Sequence, residues 1–122
     1  MNRFWFTAGI INSIATIMHL ILGYADPLLP LTQMGLNDVS MATLFAVWTM
    51  ATLVMLVSSF NLVYIGIYPH KAGAKELALL WGVLYVAFAL VFVIVNVSYA
   101  FFSLPQWVLL LPIGILAFYG RK

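Results

Sequence analysis

The sequence predicts an all-α membrane protein, in which residues 1–122 form a single domain of four transmembrane helices packed as an antiparallel bundle. Of the 122 residues, 66% are hydrophobic and only 7% are charged, whereas about a quarter of the residues in soluble domains are charged. The mean hydropathy is +1.13. The chain also contains apolar stretches near the ~20 residues that a helix needs to cross a bilayer. These observations exclude an ordinary soluble domain.

Four apolar stretches are the predicted spans. The first covers 21 residues, and at about 1.5 Å per residue it matches the thickness of the hydrocarbon core. The second is ended by Pro69, and the fourth, which is the shortest, contains Pro112, which removes a helical hydrogen bond. The spans are predicted at residues 4–24, 41–68, 76–102 and 104–119.

The charged residues predict the orientation of these spans. All five Lys and Arg fall on one side of the predicted membrane, namely Arg3, Lys71, Lys75, Arg121 and Lys122. The first loop lies on the other side and carries Asp26 and Asp38 without a basic residue. The positive-inside rule therefore places both termini in the cytoplasm, and we expect a bacterial cytoplasmic (inner) membrane. Because the basic residues mark helix ends, no nucleic-acid partner is predicted.

Residues 1–25 also admit a second interpretation, a cleavable signal peptide. Arg3 precedes an apolar run, and the small residues Gly23 and Ala25 flank Tyr24 at the position of a cleavage site. The run is longer than the usual 7–15 residues of such a peptide. It is also interrupted by polar side chains, so a first transmembrane span is the favoured interpretation.

Large side chains recur on one face of the third span at intervals of three and four residues. The stripe consists of Trp81, Tyr85, Phe88, Phe92, Asn96 and Tyr99. Such a stripe is typical of helix packing or lipid contact. The alternative is one wall of a pocket for a flat apolar molecule such as a quinone or a sterol.

Polar side chains inside the spans are the candidate functional residues, because hydrocarbon offers them no hydrogen bonds. His19 is the only ionisable residue well inside a span, about 7 Å below the outer end of the first one. Counted from the outer ends of their own spans, Asn96 and Thr43 lie at a similar depth. The predicted ligand-binding residues are His19, Asn96, Trp48, Thr49, Thr43, Asn12 and Tyr99. Hydrogen bonding between packed helices is the alternative interpretation of these residues, and the sequence favours it.

The reactive groups that most small membrane enzymes need are missing from the sequence. There is no cysteine, which excludes thiol chemistry, iron–sulfur clusters and thiolate zinc sites. The first span contains no acidic residue, which excludes a four-helix proton-coupled multidrug exporter. His70 is predicted on the opposite side of the membrane from His19, which excludes a bis-histidine haem site. We therefore predict no enzyme activity, no metal site and no cofactor.

Three features of the first half of the chain resemble small four-span bacterial membrane proteins of unknown function. They are His19-x-x-x-Gly23 at the end of the first span, a proline-containing outer loop, and Trp48 in the second span. In that group a histidine often follows the tryptophan, whereas this chain has Thr49. The resemblance implies no activity.

The function expected from these observations is that of an integral membrane protein acting through helix contacts, as an accessory or assembly subunit or as a small homo-oligomer. Its expected partners are the lipid bilayer and either another membrane protein or a second copy of the chain. The alternative is a binder or carrier of a small apolar or amphipathic molecule, a lipid or a quinone-like compound, at the outer leaflet.

Overall fold

The computed structural model describes residues 1–98 and 104–122, which are helical apart from short connections. The helices are α1 (Arg3–Gly23), α2 (Leu29–Thr32), α3 (Asp38–Ile67), α4 (Ala74–Ser98) and α5 (Trp107–Tyr119), with one π-helical segment, Tyr24–Leu28, between α1 and α2. Three segments, Arg3–Thr32, Asp38–Ile67 and Ala74–Ser98, are long and apolar enough to span a membrane. The helix in the fourth predicted span, α5, has 13 residues and is therefore shorter than predicted.

Asparagine side chains set the starts of two long helices. Asn2 precedes α1, and its Oδ1 accepts hydrogen bonds from the backbone N–H groups of Phe4 at 3.1 Å and Trp5 at 3.2 Å. Asn37 precedes α3 and accepts from the N–H of Ser40 at 2.9 Å. Each cap satisfies backbone donors that have no partner inside the helix.

Glycines allow the antiparallel neighbours α1 and α3, and α4 and α5, to pack closely. A Cβ atom added at Gly66 would lie 2.6 Å from the backbone nitrogen of Phe6, and one at Gly9 would lie 2.7 Å from the backbone nitrogen of Val63. Between α4 and α5, a Cβ atom at Gly114 would lie 3.0 Å from the carbonyl oxygen of Gly82. These helix pairs therefore approach one another at the backbone, as small residues permit in membrane helices.

The start of α1 is tied to the ends of two other helices. The N–H of Asn2 donates to the carbonyl of Gly66 at 2.7 Å, and its side-chain amide donates to the carbonyl of Gly120 at 2.6 Å. The indole of Trp5 donates to the carbonyl of Ala117 at 3.0 Å. These bonds fix the positions of α1, α3 and α5 relative to one another along the helix axes.

The two ends of the packed helices differ in charge. One end holds the start of α1 and the end of α5, and we call it the basic end because it carries Arg3, Lys71, Lys75, Arg121 and Lys122. The other end holds the end of α1 and the start of α3. We call it the acidic end because it carries Asp26 and Asp38.

Candidate functional site

A cluster of polar side chains lies buried where α1, α3 and α4 meet. Asn12, Ser58 and Tyr85 are each 0% exposed, and we call these three residues the buried polar cluster. Asn12 is about 15 Å along α1 from Asn2, so the cluster lies far from both ends of that helix. Polar groups at this depth are costly unless they are hydrogen-bonded.

The hydrogen bonds of the buried polar cluster are made within the cluster and to one backbone carbonyl. The Nδ2 group of Asn12 donates to the carbonyl of Met55 at 3.1 Å and to the hydroxyl of Ser58 at 2.8 Å. The hydroxyl of Tyr85 donates to Oδ1 of Asn12 at 2.6 Å and lies 2.7 Å from the hydroxyl of Ser58. Because both amide protons of Asn12 are used, this predicted ligand-binding residue links three helices.

Two further hydroxyls stand beside this cluster at the edge of a groove between α1 and α3. Thr16 donates to the carbonyl of Asn12 at 2.7 Å, and Ser59 donates to the carbonyl of Met55 at 2.8 Å. The groove has a volume of about 250 Å³ and is lined by Ser13, Thr16, Ile17, Leu56, Ser59, Phe60 and Val63. Since these hydroxyl protons already bond to backbone carbonyls, the groove is largely apolar.

Towards the acidic end, a histidine and a tryptophan from neighbouring helices stack on each other. The rings of His19 on α1 and Trp48 on α3 are nearly parallel, with centroids 4.1 Å apart and an interplanar angle of 10°. Gly23 follows His19 by four residues and so lies on the same face of α1. A Cβ atom added at Gly23 would overlap the six-membered ring of Trp48. We call His19, Gly23 and Trp48 the His–Trp notch.

The His–Trp notch contains two nitrogen atoms with unused hydrogen-bonding capacity. Nε2 of His19 and Nε1 of Trp48 are buried, and neither has a hydrogen-bond partner among residues 1–98 and 104–122. The indole nitrogen can only donate, whereas the imidazole nitrogen can donate or accept, depending on its tautomer. An acceptor supplied by another molecule would satisfy the indole N–H.

The two predicted threonines are not part of this notch. The hydroxyl of Thr43 donates to the carbonyl of Val39 at 2.8 Å, and the hydroxyl of Thr49 donates to the carbonyl of Phe45 at 2.8 Å. Both threonines are exposed. Each hydroxyl is therefore satisfied by the preceding turn of its own helix.

The side chain of Asn96 forms hydrogen bonds with the backbone of Leu104, shortly before α5 begins. Its Nδ2 group donates to the carbonyls of Phe92 at 2.9 Å and Leu104 at 2.8 Å, and its Oδ1 accepts from the N–H of Leu104 at 3.2 Å. Its amide is thereby fully engaged with the backbone. Tyr99, another predicted site residue, lies outside the described residues. Of the predicted set, the structure brings His19 and Trp48 into contact.

Sequence reasoning did not single out Asn61 on α3. Four of the five asparagines form side-chain hydrogen bonds, namely Asn2, Asn12, Asn37 and Asn96. Asn61 is only partly buried, and its amide makes no such bond within the described part of the chain. Asn61 also lies eleven residues from the exposed Met50, which places both on the same face of α3. The sequence signal that could have identified it is the presence of this amide inside the second predicted span.

Comparison of the chain with protein-family models, with curated proteins and with solved structures gives no match. The resemblance to small four-span bacterial membrane proteins therefore stays a prediction. Among the described residues, no group of three or more His, Asp or Glu side chains could hold a metal ion. The site must be interpreted from its own geometry.

Proposed function

We propose that this protein is a four-span protein of a bacterial cytoplasmic membrane, with both termini in the cytoplasm, that acts through helix contacts. It would be either an accessory or assembly subunit or a homo-oligomer. Three long apolar segments and five basic residues at one end support the membrane placement. In this arrangement α5 is the fourth span, and its 13 residues cover about 20 Å.

One observation carries this proposal: the amide of Asn61 has no hydrogen-bond partner in the described part of the chain, and it lies on a helix whose first half is not buried. No residue of α3 between Asp38 and Val54 is buried, although Trp48 there contacts α1, whereas six residues between Met55 and Gly66 are buried. Met50, on the same face as Asn61, is 65% exposed. Lipid tails can cover apolar side chains but cannot hydrogen-bond an amide, whereas a neighbouring membrane helix can do both.

Replacing Asn61 with leucine is expected to lower the association constant of the protein about fivefold, which corresponds to about 1 kcal/mol of association free energy. The measurement is native mass spectrometry of the full chain extracted from its membrane in mild detergent. Multiples of 13.6 kDa identify self-association, and a reproducible second mass identifies a partner subunit.

The matched control is Thr43→Val, because the Thr43 hydroxyl is exposed on the same helix but already bonded to Val39. We expect this variant to associate within twofold of the original chain. A chain that is monomeric in mild detergent, or equal losses in the two variants, would contradict the proposal.

The two unpaired nitrogens of the His–Trp notch favour a second candidate function, the binding of a small apolar or amphipathic molecule near the acidic end. A carbonyl-bearing compound such as a quinone or a lipid ester would accept a hydrogen bond from the indole of Trp48. The flat stacked rings of His19 and Trp48 would contact its apolar surface.

His19→Phe tests this candidate because phenylalanine keeps an aromatic ring against Trp48 but removes both ring nitrogens. We expect the variant to bind a short-chain quinone about tenfold more weakly, measured as the bound adduct in native mass spectrometry. Thr49→Val is the control, since this exposed hydroxyl bonds to Phe45. Equal binding by the original chain and His19→Phe would exclude the notch as the site.

A further inference from the structure

At the basic end, two hydrogen-bond donors of the α4–α5 pair have no acceptor in the part of the chain that the structure describes. Nε1 of Trp81 and Nε of Arg121 are buried and lack a hydrogen-bond partner among residues 1–98 and 104–122. Trp81 as a whole is 9% exposed. An indole N–H and a guanidinium N–H can donate but not accept, so both atoms require the same kind of partner.

The packing of α4 against α5 places these two residues at similar depth. A Cβ atom added at Gly82, next to Trp81, would lie 3.3 Å from the ring of Phe118. Arg121 follows Phe118 by three residues, and its N–H donates to the Phe118 carbonyl at 3.1 Å. Trp81 and Arg121 are therefore separated by about two residue rises, or ~3 Å, along the helix axes, and Arg121 is nearer the end.

The missing partner of Arg121 is best supplied by an anion. Nε and the neighbouring Nη of a guanidinium can bind two oxygens of one phosphate group side by side. The missing partner of Trp81 is a neutral acceptor slightly deeper in the membrane. An ester carbonyl suits it, because buried indole N–H groups pair with acceptors where apolar and polar regions meet.

A glycerophospholipid carries these two acceptors in that order, with the phosphate outside and the ester carbonyls below it. The net charge around the site selects among phospholipids. The basic end carries five Lys and Arg against one carboxylate, Glu76, so the formal difference there is 5 − 1 = 4 positive charges. This excess favours an anionic headgroup over a zwitterionic one.

We propose that Arg121 and Trp81 form a binding site for one anionic phospholipid in the leaflet at the basic end, with Arg121 on the phosphate and Trp81 on an ester carbonyl. The site is separate from the His–Trp notch and from Asn61, which belong to the proposed function. It requires only that the chain spans a membrane, and it would survive if neither helix association nor quinone binding were found.

The test is native mass spectrometry of the delipidated full chain, titrated with phosphatidylglycerol. Arg121→Lys keeps the charge but removes the Nε donor, and we expect it to weaken lipid binding about tenfold. Trp81→Phe removes the pyrrole part of the indole, including its N–H, and keeps an aromatic ring. We expect it to weaken lipid binding about threefold. Circular dichroism checks that this second variant keeps its helices. If Trp81→Phe loses its helices, the result for Arg121→Lys alone tests the proposal.

The matched control is Lys122→Gln, because Lys122 adjoins Arg121 and its ammonium already lies 4.9 Å from the centre of the Tyr119 ring. We expect less than a twofold change. A loss in Lys122→Gln as large as that in Arg121→Lys would reduce the effect to general charge attraction and overturn the proposal. Equal binding of phosphatidylcholine, or displacement of the lipid by millimolar inorganic phosphate, would overturn it as well.

Discussion

Replacing Gly66 with valine is expected to lower the free energy of unfolding by about 3 kcal/mol, the upper part of the range for overpacked sites. A Cβ atom at Gly66 would lie 2.6 Å from the backbone nitrogen and 2.7 Å from the Cα of Phe6. Backbone atoms cannot rotate away as a flexible side chain can, so α1 and α3 must separate. That separation would also stretch the 2.7 Å hydrogen bond from Asn2 to the carbonyl of Gly66.

The measurement for Gly66→Val is thermal unfolding in mild detergent, followed by circular dichroism. Ala51→Val is the control, because Ala51 is on the same helix and exposed. We expect the control to stay within about 0.5 kcal/mol of the original chain, as surface substitutions usually do. If the two variants lose the same stability, the close approach of α1 and α3 is not what Gly66 contributes.

Apolar length was a good guide to the long helices but not to the last one. The predicted ends of the first three spans lie within three residues of the observed ends wherever the structure describes them. The fourth span was predicted from residue 104, but α5 begins at Trp107. The N–H of Val108 bonds to the carbonyl of Pro105 at 2.9 Å, which closes a turn just before α5. Hydropathy alone does not distinguish that turn from a helix.

Depth counting could not give helix rotation, so it could not predict which side chains contact one another. By depth, His19 was grouped with Asn96 and Thr43, whereas in the structure its ring stacks on that of Trp48. Thr43 bonds to a carbonyl four residues earlier in its own helix, and Asn96 bonds both to such a carbonyl and to the backbone of Leu104. Because a polar side chain in an apolar helix can be satisfied in this way, its presence does not require it to face a neighbour. For the same reason the sequence could not single out Asn61, whose amide makes no side-chain hydrogen bond among the described residues.

Replacing Asn12 with leucine is expected to lower the free energy of unfolding by about 2 kcal/mol, because three interhelical hydrogen bonds are lost at about 0.6 kcal/mol each. Leucine has a similar size, so little of the loss should come from packing. The hydroxyl of Tyr85 keeps Ser58 as a neighbour at 2.7 Å, which limits the cost. Thermal unfolding in mild detergent measures the change.

Tyr85→Phe and the double variant reveal whether the buried polar cluster acts as one unit. Tyr85→Phe removes the donor to Oδ1 of Asn12, a bond of 2.6 Å, and leaves that oxygen buried without its partner, at an expected cost of about 1–2 kcal/mol. In the double variant the unpaired oxygen is gone as well. We therefore expect a total loss close to that of Asn12→Leu alone, which is a coupling of about 1 kcal/mol. Additive losses would mean that Asn12 and Tyr85 stabilise the helices independently, and that the cluster does not join α1 to α4 through this bond.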